Sequence, residues 1–214
     1  MKYPNLKEEK KLWRKGFKKV ACLDEAGRGS LAGPVVAGAV TIRKSDFRKF
    51  NIGKSDFSAI KDSKKLTAKK REELYEILTN TPAGGLQIEW GTGRVSERVI
   101  DKINILEATK LAMIKAIKKL KRKPNFLILD GNFKIDLKTP QKSIVKADEK
   151  VFSCSAASII AKVTRDKRMR KFHKKYPKYG FDRHKGYPTK HHFKMLKKYG
   201  PCKIHRKTFK PIKK

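Results

Sequence analysis

Four carboxylates occupy positions in this sequence from which they can do chemistry. Asp24 and Glu25 end the run KVACL and precede Gly27 and Gly29. Asp130 closes FLIL ahead of Gly131, and Asp148 follows SIVK. Acids at the C-terminal ends of neighbouring strands converge on one edge of an α/β sheet, where ligands bind. Gathered there, they repel one another unless cations stand between them. Such oxygen donors suit hard ions, Mg²⁺ or Mn²⁺. Two of these ions roughly 3.5–4 Å apart match a phosphodiester, one activating water and one stabilising the leaving oxygen. Each acid also has a plainer reading: Asp-Gly after a strand makes a turn, and Asp24-Glu25 before a glycine makes a capping pair. Spacing alone leaves both open. Asp166 falls in helical register with Ile159 and Val163, on a face that should be buried. There it needs a partner, whether a metal, a water, or a salt bridge to Lys162 or Arg165.

The elements that would carry these acids follow from periodicity. A short strand runs into the glycine-rich turn at 19–29, and the β-branched run PVVAGAVTI (34–42) predicts a second strand. Thr67 is a candidate N-cap for a helix carrying Leu74, Ile77 and Leu78. LQIEWGTG (86–93) reads as a third strand. Leu106, Met113, Ile117 and Leu120 share one face of a helix over 104–121, which Pro124 ends. FLILD (126–130) is a buried-type strand, SIVK (143–146) a fifth, residues 155–176 a long amphipathic helix, and 189–199 a last one. Strands followed by alternating helix and strand predict an α/β sandwich with a mixed sheet.

The 214 residues divide into a basic lead-in (1–18), a catalytic domain (19–176) and a basic extension (177–214). Apolar residues make up only 38% of the chain, but they cluster in periodic runs, which excludes full disorder. The net charge is +36, from 56 Lys and Arg against 20 Asp and Glu. No acid follows Asp182, whereas twelve Lys or Arg do. A polyanion partner explains that asymmetry, because each cation that meets a phosphate releases condensed counterions. A general Lys bias would inflate the total without stripping acids from one end. Cys22, Cys154 and Cys202 have neither metal-ligand spacing nor an even disulfide framework, which suits reduced thiols in the cytoplasm. The start, MKYPNLKEEKKLW, lacks the apolar core of a signal peptide, and no run is long enough to span a bilayer. The five histidines (His173, His184, His191, His192, His205) lack accompanying acids and are assigned surface or phosphate-contacting roles.

Beside this reading stands a resemblance. DEAGRG (24–29), DSKKL (62–66), INILEAT (103–109), LDGN (129–132), VKAD (145–148), SAASIIAKVTRD (155–166), YGFDRHKGYPT (179–189) and HRKTF (205–209) resemble, in order, segments of the ribonuclease HII family, the last closer to its bacterial form. The resemblance spans about Val20 to Phe209. It implies a ribonuclease H-like fold: a five-stranded mixed sheet flanked by helices, with a helical C-terminal extension. It implies that Asp24, Glu25, Asp130 and Asp148 are catalytic and hold two divalent ions, Mg²⁺ or Mn²⁺, with Asp166 as a supporting residue. The implied activity is hydrolysis of the RNA strand of RNA–DNA hybrids and cutting 5′ of single ribonucleotides in duplex DNA. The ends would be 3′-hydroxyl and 5′-phosphate, and the roles ribonucleotide and RNA-primer removal. Gly27, Arg28 and Gly29 suit a reader of the ribose, since glycines let backbone groups approach a 2′-hydroxyl. Tyr187 resembles the residue that packs against the neighbouring sugar. Ser63, Lys64, Lys65, Asn104 and Arg206 resemble further substrate-contacting positions. No obligate protein partner and no membrane is implied.

Two other classes compete. A non-catalytic basic RNA-binding protein explains the charge but leaves the four acids without purpose. Another two-metal nuclease would cut DNA without needing a 2′-hydroxyl. In every case the charge makes one prediction. Affinity for a nucleic-acid duplex should fall with salt at a log–log slope of about −0.9 per phosphate neutralised, read from titrations at several KCl concentrations. A flat slope would remove the polyanion reading.

Overall fold

The computed structural model describes residues 4–43, 60, 66–80 and 88–213. Its sheet has the strand order β3-β2-β1-β4-β5. The central strand β1 (Lys19–Ala26) pairs antiparallel with β2 (Val35–Arg43) and parallel with β4 (Phe126–Asp130). Beyond them lie β3 (Ile88–Val95), antiparallel to β2, and β5 (Gln141–Ile144), parallel to β4. The sheet is therefore mixed, as the sequence predicts.

Alternation along β1 sends Val20 and Cys22 to one face and Ala21 and Leu23 to the other. The first face packs against helices α1 (Lys7–Arg14), α2 (Ala68–Thr79) and α5 (Phe152–Lys175). The second packs against α3 (Glu97–Ile117), with Leu127, Leu129 and Met113 in the same cluster. The first half of α5 is lined by buried small residues, Ser153, Cys154, Ser155, Ala156, Ala157 and Ser158. It lies so close to β2 that a Cβ on Gly38 would stand 2.4 Å from the Ala157 carbonyl oxygen.

The chain start locks this helix in place. Asn5 bridges Val151, and Glu9 is buried, accepting from the Ser153 N–H (3.1 Å) and Oγ (2.8 Å) in the first turn of α5. That helix has no cap from its own N-cap Val151, so Glu9 satisfies one of its orphan donors from far along the chain. Burial raises the Glu9 carboxyl to about 6 despite these bonds.

Several boundaries differ from the sequence reading for local reasons. The fifth strand stops at Ile144 rather than 146, because Lys146 adopts φ 57° and turns the chain into the short helix α4 (Ala147–Lys150). The helix expected over 104–121 spans Glu97–Ile117 and is broken at Asn104 (φ 64°, ψ 170°). After that break the buried stripe is Ala108, Ala112, Met113 and Ala116, and Leu106 is only half-buried. Thr67 caps α2 as expected, accepting from the Lys70 N–H at 3.2 Å. The inner residues of α2 are Leu74 and Leu78, whereas Ile77 is 65% exposed.

The basic C-terminal stretch wraps back over β1 and α5. A 3-10 turn (Pro177–Tyr179), α6 (Phe181–His184) and α7 (Lys190–Tyr199) lead to a segment where Ala32 bridges His205. Ala32, Met169, Tyr179, Phe181 and Ile204 form its apolar centre. Here the histidine assignment is corrected, since His184, His192 and His205 are buried, not at the surface. The acceptors around them fix their tautomers. His192 donates from Nδ1 to the Tyr187 carbonyl (2.9 Å), and its Nε2 accepts from His205 Nε2 (3.0 Å). His205 Nδ1 accepts from the Cys202 N–H (2.8 Å). His184 donates from Nε2 to the Tyr179 carbonyl (2.7 Å) and accepts at Nδ1 from the Gly186 N–H (3.1 Å). Every ring nitrogen is used by a neutral imidazole, and protonation would set donor against donor.

Burial accordingly lowers His192 and His205 from 6.5 to about 4. Between those values the unfolded chain binds protons that the folded chain refuses. The contribution of this cluster is full above about 6.5 and is lost as pH falls toward about 4. Imidazole NMR shifts should show both rings still neutral well below their usual titration point; a midpoint near 6.5 for either would contradict the network.

Candidate metal centre

The site forms where the two central parallel strands end. Leu23 pairs with Leu129, so the next residues, Asp24 and Asp130, stand side by side. Asp148 enters from α4, just after the left-handed Lys146. One carboxylate oxygen from each of Asp24, Asp130 and Asp148 lies within 4.8 Å of the others. Asp24 and Asp148 are buried, and Asp130 is half-buried. Asp130 Oδ1 accepts from the Ala147 N–H (2.8 Å), tying the end of β4 to the start of α4. Asp24 Oδ1 accepts from the Glu25 N–H (2.7 Å).

Burial is the main reason the Asp24 carboxyl sits well above its ordinary range, followed by the charges of Glu25 and Asp130. A hydrogen bond from Ser158 on α5 opposes the rise, and Asp148 adds to it. A nearby cation would restore ionisation to a group held this far from it by burial and by its neighbours' charge. Three hard oxygen donors of this kind fit a divalent ion.

The fourth carboxylate is adjacent, not inside this cluster. Glu25 is the next residue along β1, so its side chain leaves on the other face, where it meets Arg28 at 3.4 Å. Its charge still reaches Asp24. Asp166 is also outside the cluster. It pairs with Lys162 at 3.0 Å, one of the partners its helical register allowed. The Lys162 ammonium in turn lies 5.1 Å from the centre of the half-buried Tyr187 ring, with the Arg165 guanidinium at 5.3 Å.

Gly27 adopts φ +97°, and a Cβ there would collide with Arg165 Nε at 2.0 Å, so only glycine fits. Arg28 and Gly29 are exposed. Asn104 caps the second part of α3, its Oδ1 accepting from the N–H groups of Leu106 (2.9 Å) and Glu107 (3.1 Å). Ser63, Lys64 and Lys65 lie outside the described residues.

Arg206 requires correction as a direct substrate contact. It is fully buried, and its guanidinium donates to the carbonyls of Gly27 (2.6 Å), Arg28 (2.8 Å) and Gly33 (3.0 Å). Arg165, equally buried, does the same for Pro34 (2.9 Å), Ala32 (3.1 Å) and Lys185 (2.9 Å). Sequence reasoning missed this pair of braces. The signal for Arg165 was its place four residues from both Ala161 and Met169, on the buried stripe of α5.

A mixed sheet between helical layers, with acids crowded at the end of its central parallel strands, places the chain among the ribonuclease H-like proteins. Sequence comparison narrows this. The ribonuclease HII family pattern matches residues 21–212. Ribonuclease HII of Chlamydia trachomatis is 50% identical over 198 residues, covering 92% of this chain and 85% of that protein. The enzyme of Acetivibrio thermocellus is 48% identical over 201 residues, covering 94% and 73%. Among solved structures, ribonuclease H2 of Pyrococcus horikoshii is 31% identical with a TM-score of 0.69, covering 91% of this chain and 95% of that one. Ribonuclease HII of Archaeoglobus fulgidus, solved in complex with PCNA, is 26% identical with a TM-score of 0.70, covering 90% and 95%. The chain belongs to the ribonuclease HII family, hydrolases that cut within the RNA strand of RNA–DNA hybrids.

Replacing Asp24 by Asn removes a ligand and a repelling charge together. Cleavage of a hybrid should fall by more than roughly a hundredfold. The melting temperature without metal should rise at neutral pH, because Asp24 ionises at a cost in the folded state that the amide does not bear. The stabilisation that added Mg²⁺ gives the wild type should shrink. Calorimetry with and without Mg²⁺, beside the cleavage assay, checks all three, and near-normal turnover would remove Asp24 from the centre.

Proposed function

We propose that this protein is an endonuclease that cuts the RNA strand of RNA–DNA hybrids and also the 5′ side of a lone ribonucleotide in duplex DNA. The observation that carries the reading is the three-carboxylate centre beside an exposed glycine turn. Asp24, Asp130 and Asp148, with Glu25 adjacent on β1, would hold two Mg²⁺ or Mn²⁺ ions. Bound there, such ions lower the pKa of water and neutralise charge on the scissile phosphate.

The residues of the chain do the rest. In-line attack by water forms one O–P bond and breaks the bond to the 3′ oxygen, leaving a 3′-hydroxyl and a 5′-phosphate. The 27–29 turn meets the ribose next to that phosphate and hydrogen-bonds its 2′-hydroxyl. A deoxyribose leaves those groups unpaired and the phosphate misplaced. The Tyr187 ring, steadied by Lys162 and Arg165, offers a flat face to the neighbouring sugar. Lys162 is held in turn by Asp166. Ser63, Lys64 and Lys65 would contact phosphates, and Asn104 stands exposed where a strand can reach it. The activity fits removal of misincorporated ribonucleotides and RNA primers in the cytoplasm, with no obligate protein partner.

The deciding substrate is a DNA duplex with one ribonucleotide, against an all-DNA control, in Mg²⁺. Cutting is expected only 5′ of the ribonucleotide. Efficient cutting of the control would point to a general DNA nuclease, and binding without cutting to a non-catalytic RNA-binding protein. Tyr187→Ala should lower kcat/KM on this duplex by roughly tenfold, the worth of a modest apolar contact. A long hybrid, which has no sugar change to sense, should lose less; equal losses would make Tyr187 a packing residue.

A further inference from the structure

The 27–29 turn has two adjacent peptide groups whose carbonyls point the same way. Gly27 O and Arg28 O both accept from Arg206, at 2.6 Å from Nη2 and 2.8 Å from Nη1. A trans peptide directs its N–H opposite to its C=O. The N–H groups of Arg28 and Gly29, which share those two peptides, therefore point away from the buried guanidinium, on the exposed side of the turn. Neither donates a hydrogen bond within the described structure, whereas the next amide, Ser30, is used internally on Gly27 O at 3.5 Å. Two successive amides facing outward form a nest, a concave donor pair suited to an electron-rich oxygen.

Among the described residues Arg206 has no carboxylate partner to account for its burial. Its third bond, from Nε, goes to Gly33 O at 3.0 Å, and its guanidinium carbon lies 4.9 Å over the Phe209 ring. Burial and the nearby Arg165 cation push it down to about 9. Its place is set from two sides. Its own backbone N–H donates to Leu31 O (2.9 Å). The following residues are clamped to α3 by Asp101, which accepts from the N–H groups of Lys207 (3.0 Å) and Thr208 (3.1 Å) and from Thr208 Oγ1 (2.8 Å). A buried cation is costly unless its donors are satisfied, and here the turn's carbonyls satisfy it.

We propose that Arg206 is a positioning residue for sugar recognition: it fixes the two peptides of the 27–29 turn so that the Arg28 and Gly29 amides face the ribose 2′-oxygen. Asp101 acts one step behind it by holding the segment that carries it. Arg206 never touches substrate. This rests on the turn being the ribose reader, as proposed above. It predicts a loss that is selective for the sugar, which a merely structural role would not give.

The test compares kcat and KM of the wild type, Arg206→Lys and Asp101→Ala on two duplexes. One carries a single ribonucleotide; the other carries a 2′-fluoro-2′-deoxynucleotide at the same place, whose fluorine is a poor hydrogen-bond acceptor. Lysine keeps the charge but cannot hold three carbonyls in one plane. In the wild type the ratio of kcat/KM, hydroxyl over fluoro, should be well above one. In Arg206→Lys that ratio should fall by about tenfold, the worth of one or two aimed hydrogen bonds, chiefly through kcat. In Asp101→Ala it should fall in the same direction by less. The ratio cancels any loss of folded enzyme, and Asp101→Ala carries the test if Arg206→Lys does not fold. Equal losses on both duplexes, leaving the ratio at its wild-type value in the folded variants, would overturn the proposal for Arg206 while the turn remained the reader. A wild-type ratio near one would overturn the ribose-reading turn itself.

Discussion

Like charges at close range are the constraint around which this molecule is built. Three carboxylates with oxygens within 4.8 Å of one another would drift apart on flexible supports. Each is therefore fixed by a different element. Asp24 belongs to the central strand, paired on both sides. Asp130 is tied by its own oxygen to the first residue of α4. Asp148 sits on that short helix, which begins only because Lys146 accepts a left-handed conformation. Ser158 reaches in from α5. The packing of both sheet faces holds the repulsion in place, so the free energy of folding keeps the centre ready for a cation.

The structure also buries two positive groups, Arg165 and Arg206, and neither pairs with a carboxylate among the described residues. Their donors go to six backbone carbonyls of the 27–34 loop and the segment before Tyr187. Loops are the most mobile parts of a fold. Here the loop that carries the 27–29 glycine turn is tied from beneath by rigid, planar forks. The neutral histidine network does the same for the Tyr187 segment, using its carbonyl and the Gly186 amide. The glycine turn and the acid cluster thus rest on separate anchors, with α5 supplying Arg165 to one and Ser158 to the other.

The acids were legible because they broke a pattern: in so basic a chain, a carboxylate at the end of an apolar run stands out. Asp24 and Asp130 meet as their strand positions required, since neighbouring parallel strands in register leave their next residues adjacent, whereas Asp148 joins them from the short helix α4. Glu25 could be placed beside them but not within the cluster, because alternation along a strand sends successive side chains to opposite faces. Boundaries were less legible. Lys146 carries no local mark of the positive φ that ends a strand, and Asn104, a type that adopts positive φ more readily than most, sits inside an otherwise continuous helical pattern. The histidines and Arg206 were misjudged for one reason: composition assigns polar residues to the surface. Only the fold reveals that carbonyls 173 to 179 residues away satisfy Arg206, and that His192 and His205, 13 residues apart, pair with each other.

The small residues along the start of α5 have a consequence for how such a chain carries information. Ser153 to Ser158 are there because a helix lies almost in contact with the backbone of β2, with Ala157 O facing Gly38. Most of that stretch specifies a thickness rather than a reaction. The segment SAASIIAKVTRD, one of those by which the chain resembles its family, is thus largely a record of how closely two layers approach. A descendant that exchanged Asp24 or Asp130 for an amide would keep that record intact. It would fold, and resemble its relatives nearly as well, as a protein that recognises duplexes and leaves them uncut.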